Sequence, residues 1–158
     1  MKSRRSARRM ALGILYEAEI RGTSPLETWT LHIAPDGSIA DPLRAGGVTD
    51  DHDADPDADA VEYARRLIQG VDEHQVEIDG HLTASADHWA LDRMAVVDRN
   101  LLRIAVFELL WAGDIPVAVA INEAVELAQR FSTEDSGRFI NGLLGRIAEK
   151  VTTGPEDP

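Results

Sequence analysis

The chain of 158 residues has no cysteine, which excludes disulfides and thiolate chemistry and agrees with a reducing compartment. Aromatic residues are scarce, at 5%, although 44% of the chain is hydrophobic. The core must therefore be aliphatic, which suits packed helices better than sheets built on aromatic strands. No apolar run approaches the roughly 18 residues a membrane-spanning helix needs. Met10 to Leu15 is short and runs into Glu17 and Glu19, so it does not read as a signal peptide. A soluble, cytoplasmic protein is expected. Its length is that of one domain.

Cations are outnumbered, with 16 Lys and Arg against 28 Asp and Glu and a net charge of −12. That total argues against nucleic acid, but the distribution argues for it. Residues 1–10 carry Lys2, Arg4, Arg5, Arg8 and Arg9 and no acid. Residues 34–60 carry Asp36, Asp41, Asp50, Asp51, Asp53, Asp55, Asp57 and Asp59 against Arg44 alone. This asymmetry between segments says more than the sum.

Apolar spacing predicts a first helix from about Ser3 to Ile20, with Met10, Ala11, Ile14, Leu15 and Ala18 on one face. The arginines fall in its first turns, where the helix dipole disfavours cations, so a bound anion would account for them. Ser24-Pro25 with Glu27 marks a second helix start. The Gly-, Pro- and Asp-rich stretch at about 34–58 holds too little apolar surface to offset its ordering entropy and reads as a disordered insertion. Deleting about residues 37–57 is therefore expected to leave helix content and melting temperature nearly unchanged. Loop length itself costs only about 0.6 kcal/mol per doubling, and a melting point lowered by roughly ten degrees would show that the segment packs.

A long helix follows at about 59–84, with Val61, Ala64, Leu67, Ile68, Val71, Val76, Ile78 and Leu82 as its stripe and Gly70 as the place where it would bend. A short turn near 92–95 leads to an all-round apolar, hence central, helix at 96–112. Helices at 119–131, with Ile121, Ala124, Val125, Ala128 and Phe131 inward, and from a Ser132 cap to about 150 complete the pattern. Residues 151–158 read as a frayed tail.

No catalytic arrangement is visible, and no cofactor or metal site is expected. The histidines, at 32, 52, 74, 81 and 88, form no ligand motif. Asp51 to Asp55 resembles a calcium loop, but Pro56 stands where the turn needs Gly. Glu108, Glu123 and Glu126 read as polar helix packing, and Gly142 and Gly145 as points of close helix contact. Clustered arginines remain the candidate chemistry, because phosphate binding needs cations that approach together and guanidinium groups stack on bases. A solvated basic terminus is the alternative reading.

Several words occur in a specific order: Arg4-Arg5-Ser6-Ala7-Arg8, Ala11 to Tyr16, Trp89 to Arg93, Val97-Asp98-Arg99, Leu102-Arg103-Ile104-Ala105, Ile115-Pro116, Ala120-Ile121-Asn122-Glu123-Ala124 and Phe139-Ile140-Asn141-Gly142. In this order and spacing the chain resembles the NusB family of bacterial transcription antitermination factors. The departures are the acidic insertion and Arg9, which stands where the family pattern has an acid. The resemblance implies an all-α fold of two helical subdomains, about seven helices in a single domain over 1–158, and no enzymatic activity. It also implies binding of boxA RNA together with the ribosomal protein NusE, within an RNA polymerase antitermination complex, with a homodimer as a further assembly. Carried over by position, Arg4, Arg5, Arg8 and Tyr16, helped by Lys2, and a second patch of Asp135, Arg138 and Phe139 are expected at RNA; Arg9, a departure that makes the terminus more basic, is expected to add to that surface, and Asp98 is expected to face NusE. A NusB-like domain also opens an rRNA cytosine methyltransferase, but that enzyme needs a nucleophilic Cys and a further domain, which a chain ending at Pro158 would lack. An RNA-independent helical dimerisation scaffold is the remaining alternative.

Overall fold

In the computed structural model, residues 2–36, 57–86 and 90–152 are described. Residues 37–56, most of the acidic insertion, lie outside them, as do Trp89 and most of the expected tail. All elements among the described residues are helical: α1 (Lys2–Arg21), α2 (Pro25–His32), α3 (Ala58–Ser85), a 3-10 turn (Leu91–Arg93), α4 (Val96–Trp111), α5 (Val117–Phe131) and α6 (Glu134–Thr152). They form two compact units, Met1–Glu73 and His74–Pro158.

In the first unit, the predicted stripe of α1 is buried, together with Ala7 and Leu12. Gly22 at φ 70° ends this helix. Its N–H donates to the Glu19 carbonyl at 3.3 Å and the Thr23 N–H to the Ala18 carbonyl at 3.0 Å, the paired bonds of a Schellman stop. The Gly is required by the positive φ, since a Cβ there would meet nothing within 4 Å. Ser24 then caps α2 as predicted, its Oγ accepting the Glu27 N–H at 3.1 Å. The far end of α2 is tied to α1 by His32 Nε2 and Glu17 Oε1 at 3.0 Å. Asp57 starts α3 by accepting the Ala60 N–H at 2.8 Å, slightly earlier than the apolar pattern alone indicates, so the neutral deletion ends at residue 56 and spares this cap.

The break in α3 falls at His74 (φ −111°, ψ 16°), not at Gly70. In the second unit the His74 ring stacks on Trp111, with centroids 4.0 Å apart and planes 13° from parallel. The distortion thus coincides with a tertiary ring contact and not with the weakest helix former. Val76 is 91% exposed and does not join the stripe, because it lies more than half a turn from Ile78, which is buried with Leu82.

Helix α4 is the buried centre of the second unit, packed by α5 and α6. Its all-round apolar surface also encloses polar groups. Arg103 makes a forked pair with Asp79, Nε to Oδ1 at 2.9 Å and Nη2 to Oδ2 at 3.0 Å. Arg99 Nη1 donates to the carbonyls of Leu91 at 2.9 Å and Met94 at 3.0 Å, fixing the 3-10 turn against α4. Burial, with the Arg103 charge second, lowers the Arg99 pKa from its ordinary value. α5 begins at Val117, directly after Pro116, earlier than expected, and buries Leu127 where Ile121, Val125 and Phe131 are only half-buried. The cap of α6 is Thr133 and not Ser132: Thr133 Oγ1 accepts the Ser136 N–H at 3.0 Å, while Ser132 ends α5. Gly142 and Gly145 are not the tight glycines, since added Cβ atoms would meet Arg146 Nη1 at 3.7 Å and nothing, respectively. Close approach occurs at Gly137, where a Cβ would lie 3.3 Å from Gln129 Cγ. Arg146 and Lys150 reach the end of α3, bonding the Ser85 carbonyl at 3.2 Å and its Oγ at 3.1 Å, as cations do at a helix C-terminus.

Candidate nucleic-acid interface

In the first unit, the basic turns of α1 are arranged on an aromatic ring. The Arg4 guanidinium lies 3.9 Å from the centroid of Tyr63 on α3. Arg66, exposed on the next turn of α3, is 5.6 Å from the same ring, and Arg8 is 5.9 Å away. A buried Tyr thus gathers guanidinium groups from two helices and holds their charge together by cation–π attraction. The first turn of α1 contains no acid. Periodicity alone did not single out Tyr63 and Arg66, although their i, i+3 spacing on α3 was the available signal.

The arginines of α1 are not equivalent. Arg5 is exposed and Arg4 half-buried. Arg8 is only 3% exposed and Arg9 1%. Both side chains are enclosed. The sequence pattern missed this because a long Arg stem packs as apolar surface while its head is scored as charge. Lys2 opens α1, and Tyr16 is 39% exposed on the same helix.

In the second unit, a cavity of about 370 Å³ is lined by Arg93 and Asp98 on one side and by Asp135, Ser136 and Phe139 on the other. The expected partner residue and two residues expected at RNA thus share one concavity. Arg138 is exposed on the same turn of α6. Asp98 lies in the first turn of α4, yet the cap position there is Ala95, with no side-chain cap bond. The Asp98 carboxylate instead crosses to α6, where its Oδ2 accepts the Ser136 hydroxyl at 2.7 Å. Asp98 is 7% exposed, and its Oδ1 is buried with no hydrogen-bond partner among the described residues. A simple capping role does not describe this carboxylate. Among the described residues no group of His, Cys, Asp and Glu is placed to hold a metal, and no helix is long and apolar enough to cross a membrane.

The NusB family model matches residues 5–149. A transcription antitermination protein NusB of Salinispora tropica is 45% identical over 152 residues, covering 96% of this chain and 99% of that protein. The same protein of Acidothermus cellulolyticus is 39% identical over 158 residues, covering 100% and 95%. Among solved structures, NusB of T. maritima has a TM-score of 0.73 at 36% identity, covering 93% of this chain and 91% of that one. A chain in the crystal structure of antitermination factors NusB and NusE in complex with double-stranded RNA also has a TM-score of 0.73, at 28% identity and with 94% and 98% covered. Agreement of sequence and fold over nearly the whole of both partners leaves one conclusion: the chain belongs to the NusB family.

Proposed function

We propose that the chain, acting as one domain, is a transcription antitermination factor that binds boxA-type RNA together with NusE and supports read-through by RNA polymerase, with no chemical step of its own. The observation that carries this reading is the guanidinium cluster of α1 and α3 around Tyr63, in a chain whose net charge is otherwise strongly negative. Family relatives are antitermination proteins, and one solved relative was crystallised with NusE and double-stranded RNA. In this reading Arg4, Arg5 and Lys2 meet phosphate, with Tyr16 alongside. Arg8 and Arg9 act from beneath by holding the helix and its field. Asp135, Arg138 and Phe139 form a second RNA contact, and Asp98 receives a basic group of NusE. The Asp98 carboxylate borders an open cavity, and a cation entering that cavity meets its charge. A homodimer using these surfaces would compete with both partners.

The test is binding of labelled boxA-type RNA with and without NusE at several salt concentrations. RNA affinity that is absent, or indifferent to salt, would end the proposal. For the partner surface, Asp98→Asn should weaken NusE binding by about 1–3 kcal/mol, the cost of losing a charged hydrogen bond. Asp98→Lys should cost more. Wild-type NusE affinity in a folded Asp98→Lys variant would remove Asp98 from that interface.

A further inference from the structure

Ser136 is the meeting point of a small hydroxyl network. Its Oγ lies 2.9 Å from Ser132 Oγ and 3.0 Å from Thr133 Oγ1, and 2.7 Å from Asp98 Oδ2. Its N–H donates to Thr133 Oγ1 at 3.0 Å. An ionised carboxylate can only accept, so the single Ser136 hydroxyl proton points at Asp98. Ser132 and Thr133 must then donate to the lone pairs of Ser136 Oγ. One charge on α4 thereby orients every hydroxyl in the connection between α5 and α6, and the short distance to Asp98 is that of a charge-assisted bond. Ser136 follows Asp135 directly and lies one turn before Phe139, and all three line the same cavity as Asp98.

We propose that Asp98, acting through Ser136, is a positioning residue for the RNA-facing first turn of α6. It fixes Asp135, Arg138 and Phe139 before RNA arrives. This inference rests on the functional reading above and adds to it a role for Asp98 that needs no partner. The pull of Asp98 on Ser136 holds in the isolated chain, so its loss must register in RNA binding without NusE.

The experiment measures boxA-type RNA affinity of the full chain, without NusE, for Asp98→Ala, Ser136→Ala and the double variant. Asp98→Asn and Ser136→Thr, which keep the acceptor and the hydroxyl, serve as conservative rescues. Each alanine variant is expected to bind RNA about tenfold more weakly, the scale of one charged hydrogen bond. The double variant should be no weaker than the weaker single one, because both remove the same link. The salt slope should stay at the wild-type value, since the residues that meet phosphate are all still present, and the rescues should recover most of the affinity. Hydrogen exchange at the Ser136 and Gly137 amides should quicken in both alanine variants. Wild-type RNA affinity in the two alanine variants, or additive losses in the double variant, would overturn the positioning role while leaving the functional reading intact. Failure of the wild-type chain to bind the RNA would overturn both.

Discussion

Replacing Arg4 and Arg5 together by Ala should flatten the salt dependence of boxA RNA binding, by about 0.7 of a slope unit for each single-strand phosphate that is no longer neutralised. Affinity should fall across RNA sequences alike, because phosphate contacts carry charge and not base identity. Stability should fall by about 1 kcal/mol, most of it from the lost Arg4 cation–π contact with Tyr63, because Arg5 is exposed. Arg8→Ala and Arg9→Ala should behave differently. Their side chains are enclosed at 3% and 1% exposure, so removing either should cost about 2 kcal/mol or more in packing and in charge interactions made under cover. A triple variant of Arg4, Arg5 and Arg8 would mix the two effects. The comparison therefore pairs salt titrations of RNA binding with urea unfolding of each variant. An unchanged slope in the Arg4, Arg5 double variant would remove α1 from the RNA surface, and wild-type stability in Arg9→Ala would contradict its enclosure.

The largest loss of stability is expected at the forked pair between Arg103 and Asp79. Arg103 has little exposure, with a side chain 10% accessible against 23% for Asp79. Asp79→Ala leaves the guanidinium enclosed, with Asn100 Oδ1 at 3.3 Å as a weak neutral acceptor. The cost should be about 3 kcal/mol, at the low end for a broken buried pair because Asp79 keeps some solvent. The Arg65–Glu62 pair, 3.9 Å long with side chains 54% and 76% exposed, is the contrast. Glu62→Ala should cost less than about 0.5 kcal/mol. Replacing Arg103 by Met and Asp79 by Leu together should recover much of the loss, since an apolar pair of similar size carries no desolvation penalty. Denaturant midpoints at constant m-value measure all three, and Asp79→Ala within about 0.5 kcal/mol of wild type would refute the ranking.

Features that depend on one helix were readable in the sequence. Ser24-Pro25 announced a helix start, and the all-round apolar surface of residues 96–111 announced a central helix. Features that depend on two helices were not. Gly70 has low helix propensity, but the kink follows the stacking of His74 on Trp111. Ser132 and Thr133 are both good caps, and the choice between them is tied to where Ser136 must place its hydroxyl for Asp98. The arginines of α1 were conspicuous as charges. Which of them are enclosed depends on the packed structure around the helix, and Tyr63 emerged only when α3 was laid beside α1. Family resemblance pointed to Asp98, Asp135 and Phe139 separately, and only the structure brings them to one cavity.

The charge segregation of this chain also bears on how fast RNA finds it. With a net charge of −12, a polyanion is repelled by the molecule as a whole. The acid-free opening of α1 is a local attractive patch in that acidic chain. At physiological ionic strength the field of each patch reaches only about 8 Å, so attraction and repulsion both act in the last moments of approach. Under the proposed RNA contact at α1, encounters through acidic faces are turned away before they can become trapped in wrong orientations, and those through α1 are accelerated. Selectivity for the approach direction is thus a property of the association rate as much as of the contacts finally made. It should fade with added salt through slower productive encounter and less efficient rejection of unproductive ones.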